Sequence, residues 1–327
     1  MLIDLSIHSF SLWHHFAREP GFGPLEFGNL AKSLGFSGIN LSLNNPDFRH
    51  LGGTEPWRID QLAQWCRDKD MRLEVDTSGT DPAHLSLLLG VAARAGATHL
   101  RTYTRHSGTP ADMMKRTIAD LRAVLPAAVE TGVTLVLENH EDFTGPELAR
   151  ILRAVDHPRL RVLYDYGNAQ MVLEDPQAAL AAVLPFVASV HIKDHVMVAP
   201  EDAGGRLLVA GVPMGEGNLP IQGLTQRLIA AGLRRFCFEN VWAYSAPIRP
   251  GRLPLGDVVL GQGAFAYLRP PFDAARIVLD QSRHSGPELV ALERAALDRG
   301  LLWFGTLLGD MGLSVRQPGV SPLLPPA

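Results

Sequence analysis

The chain has 327 residues, 46% of them hydrophobic and 20% charged, and 30 Lys and Arg stand against 34 Asp and Glu for a net charge of −4. That is ordinary globular composition, enough for one large α/β core or two smaller ones, and the slight acidic balance without a long basic run disfavours nucleic acid as the main partner. Only Cys66 and Cys237 are present, which argues for a reducing compartment and against a disulfide framework. No stretch is apolar for long enough to span a bilayer and Met1 to Ile7 carries no basic residue, so no membrane association and a cytoplasmic location are expected.

In chain order, strand-like and helix-like segments alternate. Leu2 to His8 reads as a strand and Pro24 to Leu34 as an amphipathic helix closed by Gly35. Gly38 to Leu43 is a second strand, Ile59 to Lys69 a helix, and Met71 to Val75 a third strand. Pro82 to Ala95 is a helix that Asp81 can cap and Gly96 can end. His99 to Tyr103 is a fourth strand, and Pro110 to Thr131, stopped by Gly132, is a long helix. Four strands then alternate with helices near Gly145 to Val155, Asp175 to Leu184 and Leu219 to Ala231. This repetition predicts a closed parallel (β/α)₈ barrel of the TIM type, with an open doubly wound sheet as the alternative. No glycine-rich fingerprint follows the first strand, where Ser6-Ile7-His8-Ser9-Phe10 stands, and that counts against the open sheet.

Those last four strands share a design. Thr134-Leu135-Val136-Leu137 runs into Glu138-Asn139-His140, Arg161 to Tyr164 into Asp165, Val187 to Val190 into His191, and Arg235 to Phe238 into Glu239. An apolar run closed by a polar donor is what a barrel strand shows where its carboxyl end opens into a site. Taken singly, each carboxylate is more often a helix cap or an ion-pair partner than a ligand, and a lone histidine more often a satisfied core residue. Four of them in the same register on consecutive strands predict one site for a hard or borderline divalent cation. The steps of 27 and 26 residues between the first three donors match one strand-helix unit (165 − 138 and 191 − 165), whereas the last step is 48 (239 − 191). The surplus falls in a long loop, Asp194 to Pro220, that holds Gly215-Glu216-Gly217.

Glu138, Asp165 with Gly167-Asn168, His191-Ile192-Lys193-Asp194, Gly215 to Leu219 and Phe238-Glu239-Asn240 resemble the xylose isomerase-like TIM barrel superfamily over about residues 1 to 242. That group includes sugar and sugar-phosphate isomerases and epimerases, inosose dehydratase, hydroxypyruvate isomerase and the type-IV AP endonucleases. The resemblance implies that Glu138, Asp165, His191 and Glu239 hold one divalent ion, Mn²⁺ in the first place, with Mg²⁺, Co²⁺ or Zn²⁺ as alternatives. It implies a small carbohydrate substrate, a keto-sugar or sugar acid, that passes through an enediolate. Glu138 and Glu239 then move the proton as well as holding the ion, and a dimer or tetramer is expected by analogy. The endonuclease branch has a further histidine where this chain has Asn168, a departure that argues against abasic DNA as substrate.

Several other residues join the expected site. His140 lies two residues past Glu138 and is a second acid or base with a pKa suited to neutral pH, or a group that orients a ligand. Lys193, two past His191, holds an anion or pairs with Asp194 or Glu216. Glu216 orients Lys193, touches substrate hydroxyls or only shapes a turn. His8, Arg101, Tyr103 and Trp242 are expected to contact substrate, with Trp13 and Tyr244 as further aromatic walls. An isomerase or epimerase comes first among activities, a lyase or decarboxylase of an oxidised sugar, sugar acid or C-glycoside second, and a sugar-binding or partner subunit with a structural metal is the non-enzymatic alternative.

Beyond the barrel core of residues 1–242, residues 243–310 are expected to form an extension of the same domain. It begins with a Gly- and Pro-rich excursion from Val241 to Pro271 over the barrel mouth or toward a neighbour, followed by helices at Asp273 to Gln281 and Pro287 to Leu308, the second closing the ring. Residues 311–327 are expected to be disordered.

Overall fold

The computed structural model describes residues 1–44, 47–249 and 252–318. Its strands are β1 (Leu2–His8), β2 (Gly38–Ser42), β3 (Arg72–Asp76), β4 (His99–Thr102), β5 (Thr134–Glu138), β6 (Leu160–Asp165), β7 (Val187–Ile192), β8 (Asp194–Val198), β9 (Leu208–Val212), β10 (Arg235–Phe238), β11 (Ser245–Pro247) and β12 (Ser314–Val315). The helices are α1 (Trp13–Arg18), α2 (Pro24–Ser33), α3 (Pro56–Lys69), α4 (Pro82–Ala95), α5 (Pro110–Thr131), α6 (Gly145–Val155), α7 (Asn168–Met171), α8 (Pro176–Val183), α9 (Ile221–Ala230) and α10 (Gly286–Asp310). None of them is long and apolar enough to cross a membrane.

β1 to β7 and β10 pair in parallel, and β10 returns to β1, so the ring closes into a (β/α)₈ barrel. Helices cover its outer face, which is why β2 is buried along its whole length. The helices start where the chain supplies caps: the side chain of Asp81 accepts from the His84 N–H at 2.8 Å, and Thr144 with Glu147 and Ser285 with Glu288 form reciprocal capping boxes. Glu138 and Asp165 end their strands, Asp165 is level with His191, and Glu239 follows β10 directly, so all four donors stand at one rim. The predicted closing helix is present as α10, whose Phe304 meets Phe238 of β10 at a ring separation of 5.9 Å.

Three expectations about the additions are corrected. The Asp194 to Pro220 segment is not a plain loop: β8 and β9 form an antiparallel hairpin that β11 extends into a three-stranded sheet. This arm is apolar on both faces. Val196, Val198, Ala210 and Val212 pack with Ile277, Leu268 and Phe272 on one side, while Met197 and Val209 pack with Met171, Leu173 and Phe265 on the other. The Gly- and Pro-rich excursion therefore wraps the arm, because an exposed two-faced apolar hairpin would be unstable in water. The predicted helix at Asp273 to Gln281 is replaced by turns. Ile277 and Val278 are adjacent in sequence but go into different clusters, the first under the arm and the second against Trp242 and Leu289. One face of a helix could not serve both.

The expected disorder from residue 311 does not hold at its start. β12 pairs with Leu2 and Ile3 of β1, and Arg316 reaches Asp4 at 2.8 Å and Asp70 at 2.9 Å. Residues 319–327 of that expectation lie outside the described residues.

The arm is fixed to the barrel rim at Gly211, where a Cβ would fall 1.9 Å from the Val241 carbonyl oxygen, two residues beyond Glu239. Backbone on both sides leaves nothing flexible to yield. Gly211→Ala is expected to lower stability in urea unfolding by about 2 kcal/mol or more; a change within about 0.5 kcal/mol would contradict this tight approach.

Candidate metal centre

The rim donors are held by their surroundings so that one atom of each is spare. Asp165 Oδ1 accepts from the N–H groups of Gly167 and Asn168 at 2.8 and 3.1 Å, capping α7, which aims Oδ2 at the barrel axis. Glu138 Oε1 accepts from Asn168 Nδ2 at 3.2 Å. His191 Nδ1 is 4.0 Å from Glu138 Oε1 and 3.8 Å from Glu239 Oε2. Ligand atoms of Glu138, Asp165 and His191 lie within 4.8 Å of one another, and so do those of His8, His191 and Glu239. Glu138 Oε2, Asp165 Oδ2, His191 Nδ1 and Glu239 Oε2 are all buried without an aligned hydrogen bond. Orphaned buried polar atoms are costly and rare. Three carboxylate oxygens and one imidazole nitrogen of this kind, in two triads that share His191, fit a divalent cation.

Asn40 supports the same assignment. Its side-chain nitrogen is drawn 3.3 Å from His191 Nε2 while its Oδ1 has no partner. Turning the amide over pairs Oδ1 with an Nε2–H and leaves the Nδ1 lone pair free for a cation, the usual way a ligating histidine is oriented.

Charge points the same way. With Glu138 deprotonated, as a bound cation requires, Asp76, Glu138, Asp165 and Glu239 bring four negative charges against Arg101 and Lys193, leaving −4 + 2 = −2. Arg101 Nε lies 3.1 Å from Glu138 Oε2, and Lys193 Nζ lies 2.8 Å from Asp165 Oδ2 and 3.3 Å from Glu239 Oε2. Burial raises Glu138 above the usual carboxylate range against the pull of Arg101, and burial raises Asp165 against that of Lys193. Burial opposes ionisation of Glu239 too, but Lys193, His8 and His191 together hold its carboxyl below the ordinary range.

A cavity of about 460 Å³ opens above these atoms, and His8, Arg101, Tyr103, His140 and Lys193 all line it with Glu138 and Glu239. His8 Nε2 is 2.8 Å from Asp76 Oδ2, and the His140 ring stacks on Tyr103 with centroids 3.7 Å apart. One expectation about His140 is corrected: burial and then Arg101, Lys193 and Arg105 push its pKa well below neutrality. It stays neutral at physiological pH, available as a base and not as an imidazolium acid.

Lys193 pairs with Asp165 and Glu239, not with Asp194 or Glu216. Asp194 instead accepts from the N–H groups of His195, Gly215, Gly217 and Leu219. Glu216 is outside the cavity, 2.8 Å from Arg299 Nε on α10. Trp242 is buried behind the cavity and its Nε1 donates to the Ala274 carbonyl at 2.9 Å. Neither sits where a substrate contact was expected. Asp76, Asn40 and His50 reach the site without having been singled out. Asp76 ends β3, but Arg72-Leu73-Glu74-Val75 before it alternates charged and apolar residues and so lacked the apolar-run signal of the other four donors.

Residues 29–254 match the family model of the xylose isomerase-like TIM barrel. The chain belongs to that family. Within the xylose isomerase-like barrels, it is 27% identical over 228 residues to the 3-oxo-isoapionate decarboxylase of Pectobacterium atrosepticum, covering 70% of this chain and 81% of that one. The crystal structure of a D-psicose 3-epimerase in the presence of D-fructose superposes with a TM-score of 0.65 at 12% identity, covering 94% of this chain and 100% of that one. A structure of the IOLI protein with a binding zinc atom gives 0.60 at 11% identity, over 92% and 99%.

The unbonded ligand atoms predict one divalent ion per chain by metal analysis and calorimetry, with affinity cut about a hundredfold or more in Asp165→Asn and in His191→Ala. Because Glu138 is raised in the metal-free protein, the ion must displace a proton, so affinity should rise with pH through the neutral range. Binding that ignores pH, or survives both substitutions, would contradict the site.

Proposed function

We propose that the protein is a divalent-metal-dependent enzyme acting on a small keto-sugar or keto-sugar acid, of the isomerase or epimerase type. The observation that carries this reading is that Glu138 and Glu239 line the cavity and each belongs to a triad of potential metal ligands built on His191. A divalent cation there would act as a Lewis acid, acidifying the C–H beside a substrate carbonyl and favouring the enediolate that proton loss leaves.

The chain's own residues supply the rest. Glu239, kept ionised by Lys193, takes the proton from the carbon next to the carbonyl; for isomerisation Glu239 hands that proton back at the neighbouring carbon, and for epimerisation Glu138 delivers a proton taken up from solvent on the other face. Lys193 sits between Asp165 and Glu239 and offsets one of their two charges, so that the carboxylates can stand at one rim. Arg101 bridges Asp76 and Glu138 and fixes the latter's orientation. His140, stacked on Tyr103, presents a ring edge suited to sugar hydroxyls, while both ring nitrogens of His8 are engaged, Nε2 by Asp76 and Nδ1 by the Phe10 N–H.

A second reading, decarboxylation of an oxidised sugar acid, is favoured by the cationic cavity wall. Arg49 lies over Trp13 at 4.8 Å and Arg105 over Tyr103 at 4.7 Å, both lining the cavity where a substrate carboxylate needs a partner. The relative named for a decarboxylase adds to it. Loss of CO₂ leaves the same charge beside the carbonyl as loss of a proton.

Mn²⁺-loaded protein incubated with keto-sugars and keto-sugar acids in D₂O separates the readings. Deuterium entering the carbon beside the carbonyl without bond cleavage supports the first, and CO₂ release supports the second. Either activity should fall about a hundredfold or more in Glu239→Gln. Neither exchange nor CO₂ across such a panel would contradict both.

A further inference from the structure

After β2 the chain makes a single helical turn, Arg49–Leu51, on a backbone that carries strain. Phe48, just before it, has a φ of 47°, a left-handed conformation that bulky side chains rarely adopt, and Gly52 closes the turn at a φ of 74°. Phe48 and Leu51 are both buried in the barrel core, so the turn is held down at its two ends. Between them stand Arg49 and His50, and both line the cavity.

His50 is fixed on several sides. Its ring stacks on Phe16 with centroids 4.2 Å apart and meets Trp13 edge-on at 6.2 Å, and its Nδ1 lies 2.6 Å from Ser9 Oγ. Ser9 sets the tautomer. Its Oγ accepts from the Ser42 N–H at 3.0 Å, its side chain is fully buried, and among the described residues His50 Nδ1 is the acceptor its hydroxyl proton has. With Ser9 donating to Nδ1, the ring proton must sit on Nε2. The other tautomer would leave the Ser9 hydroxyl proton without an acceptor in a site closed to water.

That Nε2–H is uncommitted. Among the described residues it has no hydrogen-bond partner, yet it is not one of the unbonded atoms shut away from solvent, and the space to which His50 opens is the cavity. Burial keeps the ring neutral, with a pKa of about 3; Asp76 pulls the other way, and His8 and Arg49 deepen the fall. A neutral imidazole of fixed tautomer offers one donor in one direction. A buried donor of that kind penalises any ligand that brings no oxygen to it.

We propose that His50 is a substrate-positioning residue whose Nε2–H donates to one oxygen of the bound carbohydrate, so that the site selects substrates with an acceptor at that position. The inference rests on the reading that the cavity takes a keto-sugar or keto-sugar acid.

Two measurements test it. Side-chain ¹⁵N NMR of histidine-labelled, Mg²⁺-loaded protein reads the tautomer without a substrate, the His50 signals being those lost in His50→Ala. They should show a neutral ring protonated on Nε2 throughout roughly pH 6 to 8. Kinetics of the Mn²⁺-loaded protein on the panel of keto-sugars and keto-sugar acids reads the contact. His50→Ala should cut kcat/KM about tenfold, and His50→Gln, which keeps an N–H donor, should recover most of the loss, with Mn²⁺ affinity by calorimetry the same in both variants and the wild type. A ring protonated on Nδ1, an unchanged kcat/KM in His50→Ala, an equal loss in both variants, or a loss matched by weaker Mn²⁺ binding would overturn this role and leave the carbohydrate reading intact. No turnover of the panel by the wild-type chain would overturn the carbohydrate reading and the role of His50 with it.

Discussion

The repulsion between three carboxylates gathered at one buried rim is the constraint to which the rest of the structure answers. Two such charges about 4 Å apart cost on the order of 4 kcal/mol at the effective dielectric of a protein site, so Glu138, Asp165 and Glu239 can share a rim only if cations stand among them. Lys193 and Arg101 supply two of these charges from side chains rooted in β7's exit and β4. They do not complete the count, and the spare atoms they leave are those a divalent ion would take. A closed barrel suits this arrangement, because each strand delivers one donor from rigid backbone and no donor depends on a loop for its position.

Much of this was legible in the sequence because it is local. A strand that must be buried on both faces and then open to solvent writes its end as an apolar run followed by a charge, and Glu138, Asp165, His191 and Glu239 all carry that mark. Asp76 does not, because charged Arg72 and Glu74 interrupt the strand before it, and its bracing of His8 and Arg101 therefore went unread. Glu216 shows the limit most plainly. Its neighbours in sequence are glycines, whereas its partner, Arg299, is 83 residues away on α10. Trp242 follows a strand end as a sugar-facing aromatic might, yet its indole is turned inward by the Ala274 carbonyl.

The additions were harder to read for a different reason. β8 and β9 are apolar on both faces, so they lack the alternation that marks a half-buried hairpin, and the glycines between and after them suggested a loop. Their covering comes from residues 265–277, a segment without helical or strand period because successive side chains feed different clusters. The same additions border the metal centre: Gly211 meets Val241 two residues past Glu239, and Tyr244 reaches both the cavity and Glu141. Elaboration at the rim has thus reshaped the space around the four donors while leaving the donors on their strands.

The central claim is that Glu138, Asp165, His191 and Glu239 form a single cation site. Diffraction at the manganese absorption edge from crystals soaked in Mn²⁺ tests it most directly. The account predicts one anomalous peak within about 2.0–2.4 Å of an atom of each of those four residues. A peak bound elsewhere, or none, with Lys193 still seated between Asp165 and Glu239, would contradict it.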